Sequence, residues 1–219
     1  YAERITSLHQ AAGLLGPGAI RNLVLTTPIL ERFQDPVYVE REMDFQKIWL
    51  HASVTGALAG SLAGRIGNLE PDVCFTAGLI HPVGTIALAV HHPRILLEVL
   101  QLAEKQGGSR VDAERRVLGF THAEVAADMA AAANFPPALV QSVRSLAASE
   151  GEDEGPSMGA LVQLARSLAI EWGYADGLGR EVPVDRKRLL AVFKISAGDL
   201  IKWTPQLKEF VNPAVQALG

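Results

Sequence analysis

Apolar residues recur every three to four positions along most of this 219-residue chain, and strand-like alternation is nearly absent. The pattern predicts an all-α protein. Thr6 is placed to cap a short helix through Leu15, closed by Gly16, and Pro17 then opens a helix carrying Ile20, Leu23 and Val24 with Pro28 as a candidate kink. Asp44 is expected to cap a long helix with Phe45, Ile48, Trp49, Ala52 and Ala59 on one face. Small residues Gly56, Ala57, Gly60 and Ala63 give a neighbouring helix close access to it, and His51 lies within it. A further helix starts near Pro71 and Asp72 and runs into "FTAGLIHPVGTIALAV", Phe75 to Val90. There Pro82 should end or bend the helix just after His81, with Gly84 relaxing the turn.

Pro93 begins the next helix, which Gly107 and Gly108 end, and Thr121 with Glu124 forms a capping box that places His122 in a first helical turn. Pro136 and Pro137 start another helix. The run "ASEGEDEGPS" reads as an acidic, glycine-containing loop. Beyond it, Ser157 can cap a helix whose Leu161, Leu164, Leu168 and Trp172 stripe must be buried against the core, and Ser196 with Asp199 resembles a second capping box. The organisation expected is one domain over 1–219, with a core over about 1–148, a loop over about 149–156 and carboxy-terminal helices over about 157–219.

A composition of 48% hydrophobic and 20% charged residues supports a sizeable core, and the formal net charge of -4 gives no global basic field for nucleic acid or an anionic membrane. Neither is expected as a partner. Cys74 is the single cysteine, which excludes an internal disulfide and a paired-cysteine zinc site and suits a reducing, cytoplasmic setting. Its apolar surroundings suggest a buried, inert thiol. The apolar runs are broken by Gly, Pro, His or charge before the roughly 20 residues of a membrane span, so no membrane segment is expected. The cluster "DRKRLL", Asp185 to Leu190, reads as a solvated helix start.

The segments "RITSLHQAAGLLGPGAIRNLVL", "IWLHASVTGALAGSLAG", "AGLIHPVGTIAL" and "ERRVLGFTHAEVAADMA" resemble, in order and spacing, the HDOD family of HD-related output domains. The later "LVQLARSLAIEWG" resembles the family's carboxy-terminal helical part. The resemblance implies a compact multi-helix HD-like bundle related to metal-dependent phosphohydrolases. It also implies that the family helices preceding "RITSL" are missing from this chain. On the resemblance, His51 matches the first metal-ligand histidine and His81 the histidine of the His-Asp pair, but Pro82 replaces the aspartate. Where relatives often read "LAD", this chain has Leu164, Ala165 and Arg166, and the paired histidines of the family are absent from "SVRSLAASEGE".

A divalent ion needs hard, anionic oxygen ligands, and proline supplies none while arginine repels it. The expectation is therefore a vestigial metal site with no cofactor, no catalytic residue and no bound metal. The expected role is a regulatory, bacterial signal-transduction module acting by protein contact, with signalling proteins or fused receiver and cyclic-di-GMP-related domains as partners and self-association as a further expectation. The alternative is a metal-dependent phosphohydrolase or phosphodiesterase acting on a nucleotide. His51 and His81 also read simply as packed, hydrogen-bonded histidines, and His122 as a neutral imidazole at a helix's positive end and a candidate pocket residue. Convergence of the three would leave an open three-imidazole zinc site. His91 and His92, before Pro93, should mark a helix exit near solvent.

Overall fold

The structure is a computed structural model that describes residues 44–147, 155–178 and 185–218, all within the unit Glu42–Gly219. The helices expected from Thr6 and Pro17, the kink at Pro28 and most of the acidic run lie outside the described residues, as does the side chain of Phe45. So does the part of the one-domain expectation that concerns residues 1–41. Among the described residues the fold is all-helical, with no strand. The helices are α1 (Phe45–Ile66), α2 (Pro71–Ile80), α3 (Val83–His91), α4 (Pro93–Gln106), α5 (Arg110–Leu118), α6 (His122–Ala132), α7 (Pro137–Ser145), α8 (Met158–Glu171), α9 (Arg186–Val192) and α10 (Ala197–Leu218).

The helix boundaries follow the residues expected to set them. Asp44 accepts the Lys47 amide at 3.1 Å to start α1, Ser157 accepts that of Ala160 at 3.1 Å to start α8, and Asp185 accepts that of Arg188 at 3.0 Å to start α9. Both capping boxes form. Glu124 accepts the Thr121 amide at 2.7 Å while Thr121 accepts that of Glu124, and Ser196 and Asp199 reciprocate at 3.1 and 3.0 Å. Gly107 ends α4 in the left-handed conformation that a glycine adopts without penalty. His91 and His92 are exposed at the exit from α3.

The centre of the bundle is α1, which packs against α2, α8 and α10. Ile48, Ala52, Leu58, Ala59 and Leu62 are fully buried along it, and Leu161, Leu164 and Leu168 of α8 are buried against this core as their stripe required. Trp172 is half-buried, with Lys208 of α10 5.5 Å from its ring centroid. The backbones of α1 and α2 nearly touch. A Cβ on Gly78 would lie 2.7 Å from the Gly56 Cα, and one on Gly56 would lie 2.8 Å from the Phe75 carbonyl oxygen. Two glycines facing each other across the seam therefore set the distance between these helices.

One expectation is corrected. Gly84 does not relax a turn: it lies inside α3, where a Cβ would sit 1.8 Å from the His122 carbonyl oxygen, so its role is to let α3 rest on the start of α6. The stretch Pro71–His91 is 21 residues long and apolar enough to cross a membrane by length and composition, although His81 and Pro82 interrupt its helix and 78% of its most apolar window is buried inside the protein. Its apolarity comes from packing on both sides, against α1 and α8 through α2 and against α6 through α3.

Gly84→Ala tests this contact. The added methyl must push α3 off α6 and should cost about 1 to 3 kcal/mol or more. Gly64→Ala, where the nearest atom is 3.8 Å away, should be neutral or slightly stabilising through helix propensity. Thermal unfolding of the two variants checks the contrast.

Candidate functional site

Proline has no amide hydrogen, so the helical hydrogen bond that residue 82 would give to the carbonyl of residue 78 cannot form. Helix α2 ends at Ile80, and Pro82 is the cap residue after which α3 begins at Val83. The orphaned Gly78 carbonyl is taken by the histidine beside the proline: His81 Nδ1 lies 2.6 Å from it. A carbonyl can only accept, so Nδ1 carries the proton and Nε2 presents its lone pair. Pro82 and His81 thus act as one local device, the first removing a donor and the second replacing it.

His51 is held in the same tautomer by a distant carbonyl. Its Nδ1 donates to Tyr174 O at 2.6 Å across 123 residues of sequence. That carbonyl is presented by the end of α8, where Gly173 adopts φ +90° and the Tyr174 amide bonds back to Ala169 O at 2.9 Å. The close seam between α1 and α2 then brings the two rings together edge to face, with centroids 5.2 Å apart. His51 Nε2 is fully buried and has no hydrogen-bond partner in the structure.

His122 is satisfied at both nitrogens. Its Nδ1 donates to the Glu114 carboxylate at 2.7 Å, its backbone amide donates to the same carboxylate at 3.0 Å, and Arg110 donates to its Nε2 at 3.2 Å. Arg110 also lies 3.6 Å from Glu114 through Nε and 3.5 Å from Asp176 through Nη1. Asp176 in turn accepts the Leu178 amide at 2.9 Å, with Gly177 at φ +74° completing the turn. Helix α5, the start of α6 and the segment 174–178 are therefore joined through one guanidinium.

The electrostatics keep the imidazoles neutral and the carboxylates charged. Burial and then the charge of Arg166 push the His51 pKa down to about 4, outweighing the Tyr174 carbonyl and Asp176. Burial, His51 and Arg166 depress that of His81 well below the ordinary histidine value. For His122, burial and Arg110 outweigh the carboxylate of Glu114, so the lowered pKa has a different main cause from the helix-end position expected of it. Burial alone would raise Glu114 and Asp176, but hydrogen bonds and positive charge, from His122 and Arg110 for the first and from Arg110, Leu178 N–H and Arg166 for the second, hold both below the ordinary range. Cys74 is buried and its thiol is pushed up to about 12, as expected of an inert cysteine.

The structure thus brings His51 and His81 together beside Pro82, and puts Arg166 on the adjoining helix within electrostatic reach of His51, His81, His122 and Asp176. His122 joins the cluster through Arg110 and has no nitrogen left for a metal. Arg110, Glu114 and Asp176 were not singled out from the sequence. The spacing of Arg110 and Glu114, four apart on a helix, and the turn-forming pair Asp176-Gly177 were the available signals.

A divalent ion does not fit this donor set. Among the described residues no group of three or more His, Cys, Asp or Glu side chains is arranged to hold one. The two carboxylates in the cluster already face guanidinium charge, and the third imidazole is saturated.

Fold and site define a helical HD-like domain. The HDOD domain model matches residues 1–148, and the chain belongs to that family. Among solved structures it is similar to the "Putative phosphohydrolase" from Shewanella amazonensis SB2B, at 20% identity and a TM-score of 0.69, over 95% of this chain and 77% of that one. It is similar also to an HDOD domain protein with unknown function from Geobacter sulfurreducens, at 22% identity and a TM-score of 0.69, over 97% of this chain and 75% of that one. None of the curated proteins matches.

The depressed histidines make stability depend on pH. The unfolded chain binds a proton at His51 near pH 6.5, whereas the folded protein refuses it until about pH 4. The stabilisation is therefore complete above about pH 6.5 and is lost as pH falls toward 4, by ~3 kcal/mol at most. His81 and His122 shift in the same direction. Denaturant midpoints should fall from pH 7 to pH 5, and His51→Gln should flatten that slope.

Proposed function

We propose that this chain is a non-catalytic, cytoplasmic bacterial signal-transduction module that acts through protein contacts, with a metal site that has become vestigial. The observation that carries this reading is the closure of charge at the site. Arg110 and Arg166 face Glu114 and Asp176 while the imidazoles are neutral, so the cluster has no excess negative charge to offer a divalent ion. A metal-dependent phosphohydrolase needs carboxylate ligands and open coordination positions for water and a phosphate oxygen. At Pro82 and Arg166 this chain has a proline and a cation. Family membership supports the fold of such a module. The exposed Ile201 and Phe210 of α10, 73% and 60% accessible, are apolar side chains of the kind that protein contacts bury. Signalling proteins, or receiver and cyclic-di-GMP-related domains on the same polypeptide, are the partners proposed.

Purified protein should contain no stoichiometric iron, manganese or zinc. Pro82→Asp should show no turnover of a phosphodiester nucleotide, because one restored carboxylate still meets the charge of Arg166 and the family's later ligands are absent. Elemental analysis and a phosphate-release assay check both. Stoichiometric metal that His51→Ala and His81→Ala remove would instead support the hydrolase reading.

A further inference from the structure

In an ion-centred site the metal does two separable jobs. It supplies Lewis acidity, and it ties together side chains from several helices that would otherwise repel one another or lie unpaired. The second job does not require a metal. Arg110 performs it here with one planar group: Nη1 toward Asp176 at 3.5 Å, Nη2 to His122 at 3.2 Å and Nε toward Glu114 at 3.6 Å. Its side chain is 16% exposed, against 0% for Glu114 and 5% for Asp176. These partners come from α5 itself, from α6 and from the segment whose Tyr174 carbonyl holds His51.

We propose that Arg110, supported by Arg166, is the resident cation of this site, a guanidinium brace that replaces a divalent ion and leaves the fold independent of metal. Guanidinium suits the role because its donors are fixed in one plane and it does not lose its charge. Unlike an ion, it cannot dissociate, and it leaves no open position for water. Arg166 lies on α8, a different helix from α5, and its charge reaches His51, His81 and Asp176. The inference rests on the non-catalytic reading of the site, but it is read by melting temperature alone and does not depend on which partner the protein contacts or on any turnover.

The test compares thermal unfolding of the full chain in EDTA and in manganese, iron or zinc salts, for wild type, Arg110→Gln, Asp176→Asn and the double variant. Wild type should melt at the same temperature with chelator and with each metal. Arg110→Gln should melt about 6 to 15 °C lower, because it leaves buried carboxylates unpaired. Adding Asp176→Asn should recover part of that loss, a coupling that simple space-filling by Arg110 would not produce. A wild-type melting temperature that falls in EDTA overturns the proposal, as does an Arg110→Gln variant that melts with wild type or a double variant with no recovery. Should Arg110→Gln fail to fold, the wild-type comparison decides alone.

Discussion

A charge taken out of water has to find its opposite, and the arrangement of this bundle around its centre follows from that requirement. Glu114 is fully buried and Asp176 nearly so, and each would be driven toward its neutral form if burial acted alone. Arg110 lies between them. Because the guanidinium supplies the positive charge, His122 can remain neutral, donate through Nδ1 and accept through Nε2. Glu114 also terminates the start of α6, where an anion is favoured by the unpaired amides of the first turn. The same carboxylate is thus partner to a cation, an imidazole and a helix end.

The histidine pair depends on a different constraint, the absence of side chains at Gly56 and Gly78. Their close contact sets the distance between α1 and α2, and that distance fixes how near His51 comes to the end of α2. Pro82 then determines which nitrogen His81 presents. With no amide at position 82, the Gly78 carbonyl is available to Nδ1, and a neutral ring held through Nδ1 keeps its lone pair on Nε2. The proline that stands where the family resemblance implies an aspartate is therefore also a local structural instruction, one that fixes the histidine it follows.

Much of the fold was legible because its signals are local. Caps such as Thr121 with Glu124 and Ser196 with Asp199, and breaks such as Pro93 and Gly107, are decided within four residues. The apolar stripes of α1 and α8 identified the core for the same reason. The site was legible only in part. His51, His81 and Arg166 were recoverable through family resemblance, whereas Arg110 and Asp176 lie 66 residues apart and meet only through tertiary structure. Gly84 was misread because a glycine at a helix start suggests a turn, while its real constraint is the carbonyl of a residue 38 positions later. Periodicity reports which face of a helix is buried; it does not report what approaches that face.

The same requirement applies to any buried ion site. Loss of one ligand from an ion site leaves the remaining carboxylates unpaired and buried, a penalty of several kcal/mol that would unfold a marginal domain. A cation introduced on a neighbouring helix removes the penalty without restoring the reaction. Arg110 and Arg166 lie on α5 and α8, outside the α2–α3 junction that holds His81 and Pro82. Charge pairing supplied from outside that junction leaves the packing of α1 on α2 and α8 undisturbed.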